Sequence, residues 1–315
     1  MRILVTGGAG FLGSHLCDLL VGRGDTVVCL DDLSSGRRAN LEHLISSPRF
    51  SFIEASVLEP INIVDSFDGV VHLASPASPP GYLQRPIFTL RTGSEGTRHA
   101  LEFARAKSAR FILASTSEVY GDPLIHPQSE DYWGNVNSVG PRSVYDEAKR
   151  YAEALTTAYR TSCGADTGIV RIFNTYGPRM RPDDGRVVSS FIAQALRCAP
   201  LTVFGDGSQT RSLCYVDDLV RGIAAMLDSR EPGPINLGNP VELSIRQIAE
   251  LVRELVGSPS MIELRPLPQD DPTRRKPDIS RARDRLGWSP QVQVREGIVR
   301  TIEWHAKALQ EVRAS

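Results

Sequence analysis

Tyr145 and Lys149 stand four residues apart in SVYDEAKR, and on a helix that spacing puts both side chains on one face. A free tyrosine has a pKa near ~10 and is a poor base at neutral pH. A nearby ammonium favours the phenolate, so the pair is suited to taking a proton from an alcohol. Hydroxyls gather upstream in STSEVYG, residues 115–121, directly after the apolar run Phe111-Ile112-Leu113-Ala114, and a carboxylate, Glu118, stands among them. Near the N-terminus, TGGAGFLGSHL offers Gly8-x-Gly10-x-x-Gly13 and the overlapping Gly7-x-x-Gly10-x-x-Gly13. Such glycines allow a tight turn, close approach of backbone to a pyrophosphate, and helix packing on strand, with the helix N-terminus facing the anion. Asp31, at the end of the next apolar run in VVCLDD, is a suitable distance on to accept hydrogen bonds from a ribose diol. A carboxylate there repels a 2′-phosphate, which favours NAD over NADP.

Strand ends and a helix must carry these groups. Apolar, β-branched-rich runs read as strands at 2–6, 26–30, 51–53, 69–73, 110–114 and 168–173, with helical patterns at 12–21, 87–106 and 144–161. That alternation predicts an α/β fold with a doubly wound, Rossmann-type parallel sheet covered on both faces. Beyond about residue 175 Gly and Pro punctuate the chain more heavily, as in YGPRMRPDDG and FGDGSQ, before helical patterns at 244–255 and 295–308. The expected division is a dinucleotide-binding domain over 1–175 and a smaller C-terminal α/β substrate-binding domain over 176–315. Stretches near 212–238 are expected to return to the first sheet.

With 315 residues, 41% of them hydrophobic, the chain can bury a large core. A formal net charge of -1 and the absence of a long basic block give no reason to expect a nucleic-acid partner. The five cysteines are scattered and odd in number; this argues against a disulfide framework or a zinc site and for a cytoplasmic protein with no metal. No apolar run approaches the ~18 residues a membrane span needs, so no membrane partner is expected. The first strand-like run begins at Arg2, so no signal peptide is expected.

Taken together, VTGGAGFLGSHL, HLASPAS (72–78), STSEVYGDP (115–123), YWGNVN (132–137), GPRSVYDEAKR (140–150), RIFNTYGPRM (171–180), DGRVVSSF (184–191), GDGSQTRSLCYVDDL (205–219), INLGNP (235–240) and PLPQDDPTRRKPDI (266–279) resemble the extended short-chain dehydrogenase/reductase family of nucleotide-sugar enzymes. The SEVYGDP stretch with its glutamate, YWGNVN and DDPTRRKPDI point to the branch that decarboxylates UDP-glucuronic acid. The resemblance implies bound NAD that takes a hydride from sugar carbon 4 while Tyr145 takes the hydroxyl proton and Thr116 orients the same oxygen. Lys149 would also hold the cofactor ribose. The resulting β-keto acid loses carbon dioxide to an enolate that Tyr145 and Thr116 stabilise, giving a UDP-4-keto-pentose, and return of the hydride gives UDP-xylose.

By the same resemblance Gly7, Gly10, Phe11, Leu12, Gly13, Asp31, Leu73 and Ser75 line the cofactor site. Ser117, Asn174, Arg186, Arg211 and Arg275 would meet the substrate, Arg275 over its diphosphate or carboxylate. Glu118 has two readings. From its residue type alone it is a loop carboxylate paired with a neighbouring arginine; from the resemblance it repels the substrate carboxylate or holds the water that protonates carbon 5. Related 4-epimerases tend to carry a small hydroxyl residue there. Tyr215, Trp133 and Trp288 are expected in cores. Ser56, Gly93 and Asp32 depart from the family's usual Asp, Asn and Asn. Segments 87–106 and 144–161 are the family's usual dimer faces, so a homodimer is expected. The alternatives are a 4-epimerase or other nucleotide-sugar epimerase or dehydratase, and a non-catalytic NAD-binding protein.

Overall fold

The structure is a computed structural model that describes residues 1–267 and 274–314. The DDPT part of the motif at 266–279 therefore falls outside the described residues. In chain order the strands are β1 (Arg2–Thr6), β2 (Thr26–Asp31), β3 (Phe50–Glu54), β4 (Gly69–His72), β5 (Arg110–Thr116), β6 (Thr167–Ile172), β7 (Thr175–Tyr176), β8 (Leu201–Phe204), β9 (Thr210–Ser212), β10 (Cys214–Tyr215), β11 (Ile235–Leu237), β12 (Glu242–Ser244) and β13 (Ile262–Arg265). The helices are α1 (Phe11–Gly22), α2 (Pro79–Gln84), α3 (Pro86–Arg91), α4 (Thr97–Ala106), α5 (Ser143–Cys163), α6 (Val187–Leu196), α7 (Val216–Asp228), α8 (Ile245–Val256), α9 (Ser280–Leu286) and α10 (Val294–Ala314).

Seven strands form one sheet in the order β11-β6-β5-β4-β1-β2-β3, every pairing parallel. The central strands are apolar almost throughout, with Ile3, Leu4 and Val5 wholly buried and all of β5 buried. That is how strands covered on both faces should read. The chain order reverses beside β1, which pairs with β2 on one side and β4 on the other. Such a switch point opens a crevice at the carboxyl ends of the strands. Thr6, Asp31, His72 and Thr116 all stand at those ends.

The 87–106 segment is not one regular helix. A π turn over Thr92–Gly96 separates α3 from α4. Gly93 in that turn packs against α5 so closely that a Cβ there would lie 2.7 Å from the Ala148 Cβ. The missing side chain is thus a packing requirement. Helix α5 buries Tyr145, Ala148, Lys149, Ala152 and Thr156, an inward stripe at helical spacing, and ends at Gly164 in the left-handed region (φ 65°). Outside the main sheet, β12 pairs with β9, β13 with β8 and β10 with β7. β11 returns to the main sheet by pairing with β6. Tyr215 and Trp288 are buried as expected, but Trp133 is 90% exposed, because it sits on a loop ahead of Gly134 (φ 95°) rather than in a packed element.

Candidate active site

At the end of β1 the backbone turns at Gly7 (φ 72°), and a Cβ there would lie 2.7 Å from the Ala74 nitrogen. Gly10 caps α1, and a Cβ on Gly13 would lie 2.2 Å from the Gly7 carbonyl oxygen. Bare backbone therefore faces the crevice at the start of α1, where unpaired N–H groups favour an anion. Asp31 completes this end. Its carboxylate accepts the Ala9 N–H (2.9 Å) and the Leu33 N–H (2.8 Å), and it is 7% exposed. Burial raises its pKa and those two hydrogen bonds oppose the rise.

The relay lies where β5 ends. Thr116 Oγ1 accepts the Glu118 N–H at 3.2 Å, starting a 3-10 turn over Ser117–Tyr120 that aims Glu118 inward. Thr116 also hydrogen-bonds Tyr145. The Tyr82 ring stacks on Tyr145, centroids 5.1 Å apart and planes 10° from parallel. Burial pushes the Tyr145 phenol up to about 12, while Arg186 and the Thr116 hydrogen bond pull it down. Lys149 donates to the Ala114 carbonyl at 2.9 Å, with Nζ 5.9 Å from the Tyr145 ring centroid. Burial brings the Lys149 ammonium down to about 8. Burial is the largest influence on Tyr145, and Arg186 is the leading charge that favours its phenolate.

Glu118 resolves in favour of the paired reading. Arg275 grips it with two hydrogen bonds, at 2.7 and 2.8 Å, and Arg142 adds one at 2.9 Å. Burial opposes its ionisation, but Arg275 and Arg142 outweigh burial and hold the carboxyl at about 2. A carboxylate shared by two guanidinium groups has little charge left with which to repel a substrate anion. Direct repulsion is the part of the expectation that this geometry does not support. Nearby, Arg186 donates to the Ala77 carbonyl at 2.6 Å and pairs with Asp184. The buried Oδ1 of Asn174 has no hydrogen-bond partner, which suits an acceptor waiting for a substrate hydroxyl.

All these groups line one cleft of about 770 Å³. It takes in the glycine loop through Gly7, Gly10, Phe11, Leu12 and Gly13, with Asp31, Leu73 and Ser75. It continues past Thr116, Ser117, Glu118, Tyr145 and Lys149 to Asn174, Arg186, Arg211 and Arg275. Of the residues singled out for the site from sequence, all but Gly8 are brought together there; a Cβ on Gly8 would face the Cys29 and Cys17 sulfurs instead. Tyr82, Arg142 and Phe204 line it too and were not singled out. Arg142 carried a usable signal, three residues before Tyr145 at the N-cap of α5; Tyr82 and Phe204 carried none. Among the described residues no cluster of His, Cys, Asp and Glu fit to hold a metal is found. The residues fit a dinucleotide, with a side-chain-free cradle for its pyrophosphate, a carboxylate for its ribose, and a Tyr–Lys pair where its reactive ring would end.

Fold and site together are those of a dinucleotide-dependent enzyme, with a Tyr–Lys pair suited to moving a proton at an alcohol and arginines suited to an anion. The chain belongs to the NAD dependent epimerase/dehydratase family, which matches residues 3–238. It is 53% identical over 302 residues to UDP-glucuronic acid decarboxylase 1 of Arabidopsis thaliana, covering 96% of this chain and 69% of that one. Among solved structures it resembles the UDP-glucose 4-epimerase of Thermotoga maritima, with TM-score 0.91, 30% identity, and 98% and 100% of the two chains covered. It also resembles the UDP-glucuronic acid 4-epimerase of Bacillus cereus, solved with UDP-glucuronic acid and NAD, with TM-score 0.88, 32% identity, and 98% and 100% covered.

Proposed function

We propose that this chain decarboxylates UDP-glucuronic acid through a 4-keto intermediate, giving UDP-4-keto-pentose, UDP-xylose or both. The observation that carries the reading is Glu118 gripping Arg275 and Arg142 two residues beyond Thr116 and in the same cleft as Tyr145. This sets paired guanidinium groups beside the proton relay, where a sugar carboxylate and a diphosphate need partners. Bound NAD supplies the hydride acceptor and, later, the hydride donor. Gly7, Gly10 and Gly13 hold its pyrophosphate, Asp31 its ribose, and Phe11, Leu12, Leu73 and Ser75 close around it. Tyr145, with Thr116 donating to it and Lys149 behind it, takes the carbon 4 hydroxyl proton. Once carbon 4 is a ketone, the bond from carbon 5 to the carboxyl carbon breaks. Its electron pair then moves onto the carbon 4 oxygen, where Tyr145 and Thr116 stabilise the enolate. Asn174, Ser117, Arg186 and Arg211 fix the rest of the substrate, and Glu118 keeps Arg275 and Arg142 aimed.

We propose the domain division at about residue 175, with 212–238 returning through β11 and α7. We also propose a homodimer built on α3, α4 and α5, supported by the exposed Ile87, Leu90 and Tyr151 on those helices, and a cytoplasmic location, supported by five free cysteines. The test of the activity uses UDP-glucuronic acid labelled at the carboxyl carbon, incubated with NAD-loaded protein. Labelled carbon dioxide in step with substrate loss is the expected result; full retention of the label in a hexuronic acid would support the 4-epimerase instead.

A further inference from the structure

Arg275 lies on an extended segment with no regular secondary structure of its own, yet it is 5% exposed and grips Glu118 in a fixed, two-pronged geometry. Something else must hold its backbone. On one side the Ser212 N–H donates to the Arg275 carbonyl at 3.2 Å, which ties it to β9 beside Arg211. On the other side stands Gln128, wholly buried. Its N–H donates to the Lys276 carbonyl (2.9 Å), and its carbonyl accepts the Asp278 N–H (2.8 Å). Its side-chain Oε1 accepts the Lys276 N–H at 2.8 Å, and its Nε2 donates to the Ile125 carbonyl at 2.9 Å. Asn236 braces the same clamp, donating from Nδ2 to the carbonyls of Gln128 (3.0 Å) and Asp278 (3.1 Å).

We infer that the Gln128 side chain is the positioning residue for Arg275: it fixes the peptide that follows Arg275 and so sets the direction from which the guanidinium meets Glu118 and the substrate anion. The backbone bonds of Gln128 would survive substitution. Its side chain alone answers the Lys276 N–H, a half-buried donor that would otherwise lose its partner within the fold. A shift of about 1 Å at such a group is enough to cost a large factor in rate. The inference rests on the decarboxylase reading for its activity readout.

The experiment is a double-mutant cycle in NAD-loaded protein. Gln128→Met keeps the bulk and removes the acceptor; Gln128→Glu keeps an oxygen for the Lys276 N–H. Q128M is expected to lower carbon dioxide release about tenfold, and Q128E to recover most of it. In an Arg275→Ala background Q128M is expected to change turnover by less than about twofold, since its target is gone. A structural role alone would multiply the two losses. Multiplied losses, or unchanged turnover in a folded Q128M, would overturn the inference. If Q128M does not fold, Gln128→Asn carries the same cycle. If the unaltered protein releases no carbon dioxide, the decarboxylase reading fails. The cycle is then read from calorimetric binding of UDP-glucuronic acid, with the same coupling expected and additive effects overturning it.

Discussion

At the nucleotide end of the cleft the glycine loop and Asp31 come from one stretch, residues 7 to 31, joined by Leu73 and Ser75; at the sugar end the lining comes from segments as far apart as Tyr82 and Arg275. The first end is shaped by what is absent. Gly7 and Gly13 leave room that no Cβ could share, and Asp31 is held by two backbone N–H groups. The second end is shaped by charge. Glu118, Arg142 and Arg275 fix one another, and Arg186 biases Tyr145. A backbone cradle recognises a cofactor common to the whole family, whereas a side-chain cluster can be retuned residue by residue. The lesson is that cofactor choice and substrate choice can be damaged separately in this molecule, and the variants below are ordered by how hard they strike one end.

Tyr145→Phe deletes the proton acceptor and should lower turnover about a thousandfold, with NAD affinity by calorimetry little changed; a loss of both would mean that the two ends are not separable. Gly13→Ala strikes the other end. Its Cβ would meet the Gly7 carbonyl at 2.2 Å, so NAD binding should weaken about a hundredfold, while binding of UDP alone should persist. Glu118→Gln leaves two arginines without their anion and should slow carbon dioxide release about thirtyfold.

The same variant gives a pH signature. The Glu118 carboxyl is held at about 2 in the fold against an ordinary 4.5. Its depressed pKa stabilises the fold fully above about pH 4.5, and that contribution drains away as the pH falls towards 2. Urea midpoints between those limits should therefore fall less steeply in Glu118→Gln than in the unaltered protein. Smallest of all, Asp31→Asn keeps one acceptor and loses the charge. NAD should bind about tenfold more weakly, and NADP should suffer less, narrowing the preference.

The difference between the two ends also governs what the sequence reveals. Strands β1, β2, β4, β5 and β6 were legible because buried parallel strands are apolar throughout, and the glycine loop because its spacing is local. Tyr145 and Lys149 were legible through helical periodicity. The partner of Glu118 was not, since Arg275 is 157 residues away and nothing in local spacing ties them. The stacking of Tyr82 on Tyr145 joins a short helix to a long one across the cleft, again without a local pattern. The π turn at Thr92–Gly96 was missed because period alone cannot tell a widened turn from a regular one, although Gly93 marked the place.

The most direct measurement is an NMR time course of NAD-loaded protein with UDP-glucuronic acid in deuterated water. Loss of carbon dioxide leaves a carbanion equivalent at carbon 5 that must be protonated from solvent. The expected product is a UDP-pentose, or its 4-ketone, carrying one deuterium at carbon 5. A hexuronic acid inverted at carbon 4, with its carboxylate kept and no deuterium gained, would contradict the assignment of the Glu118–Arg142–Arg275 cluster to decarboxylation.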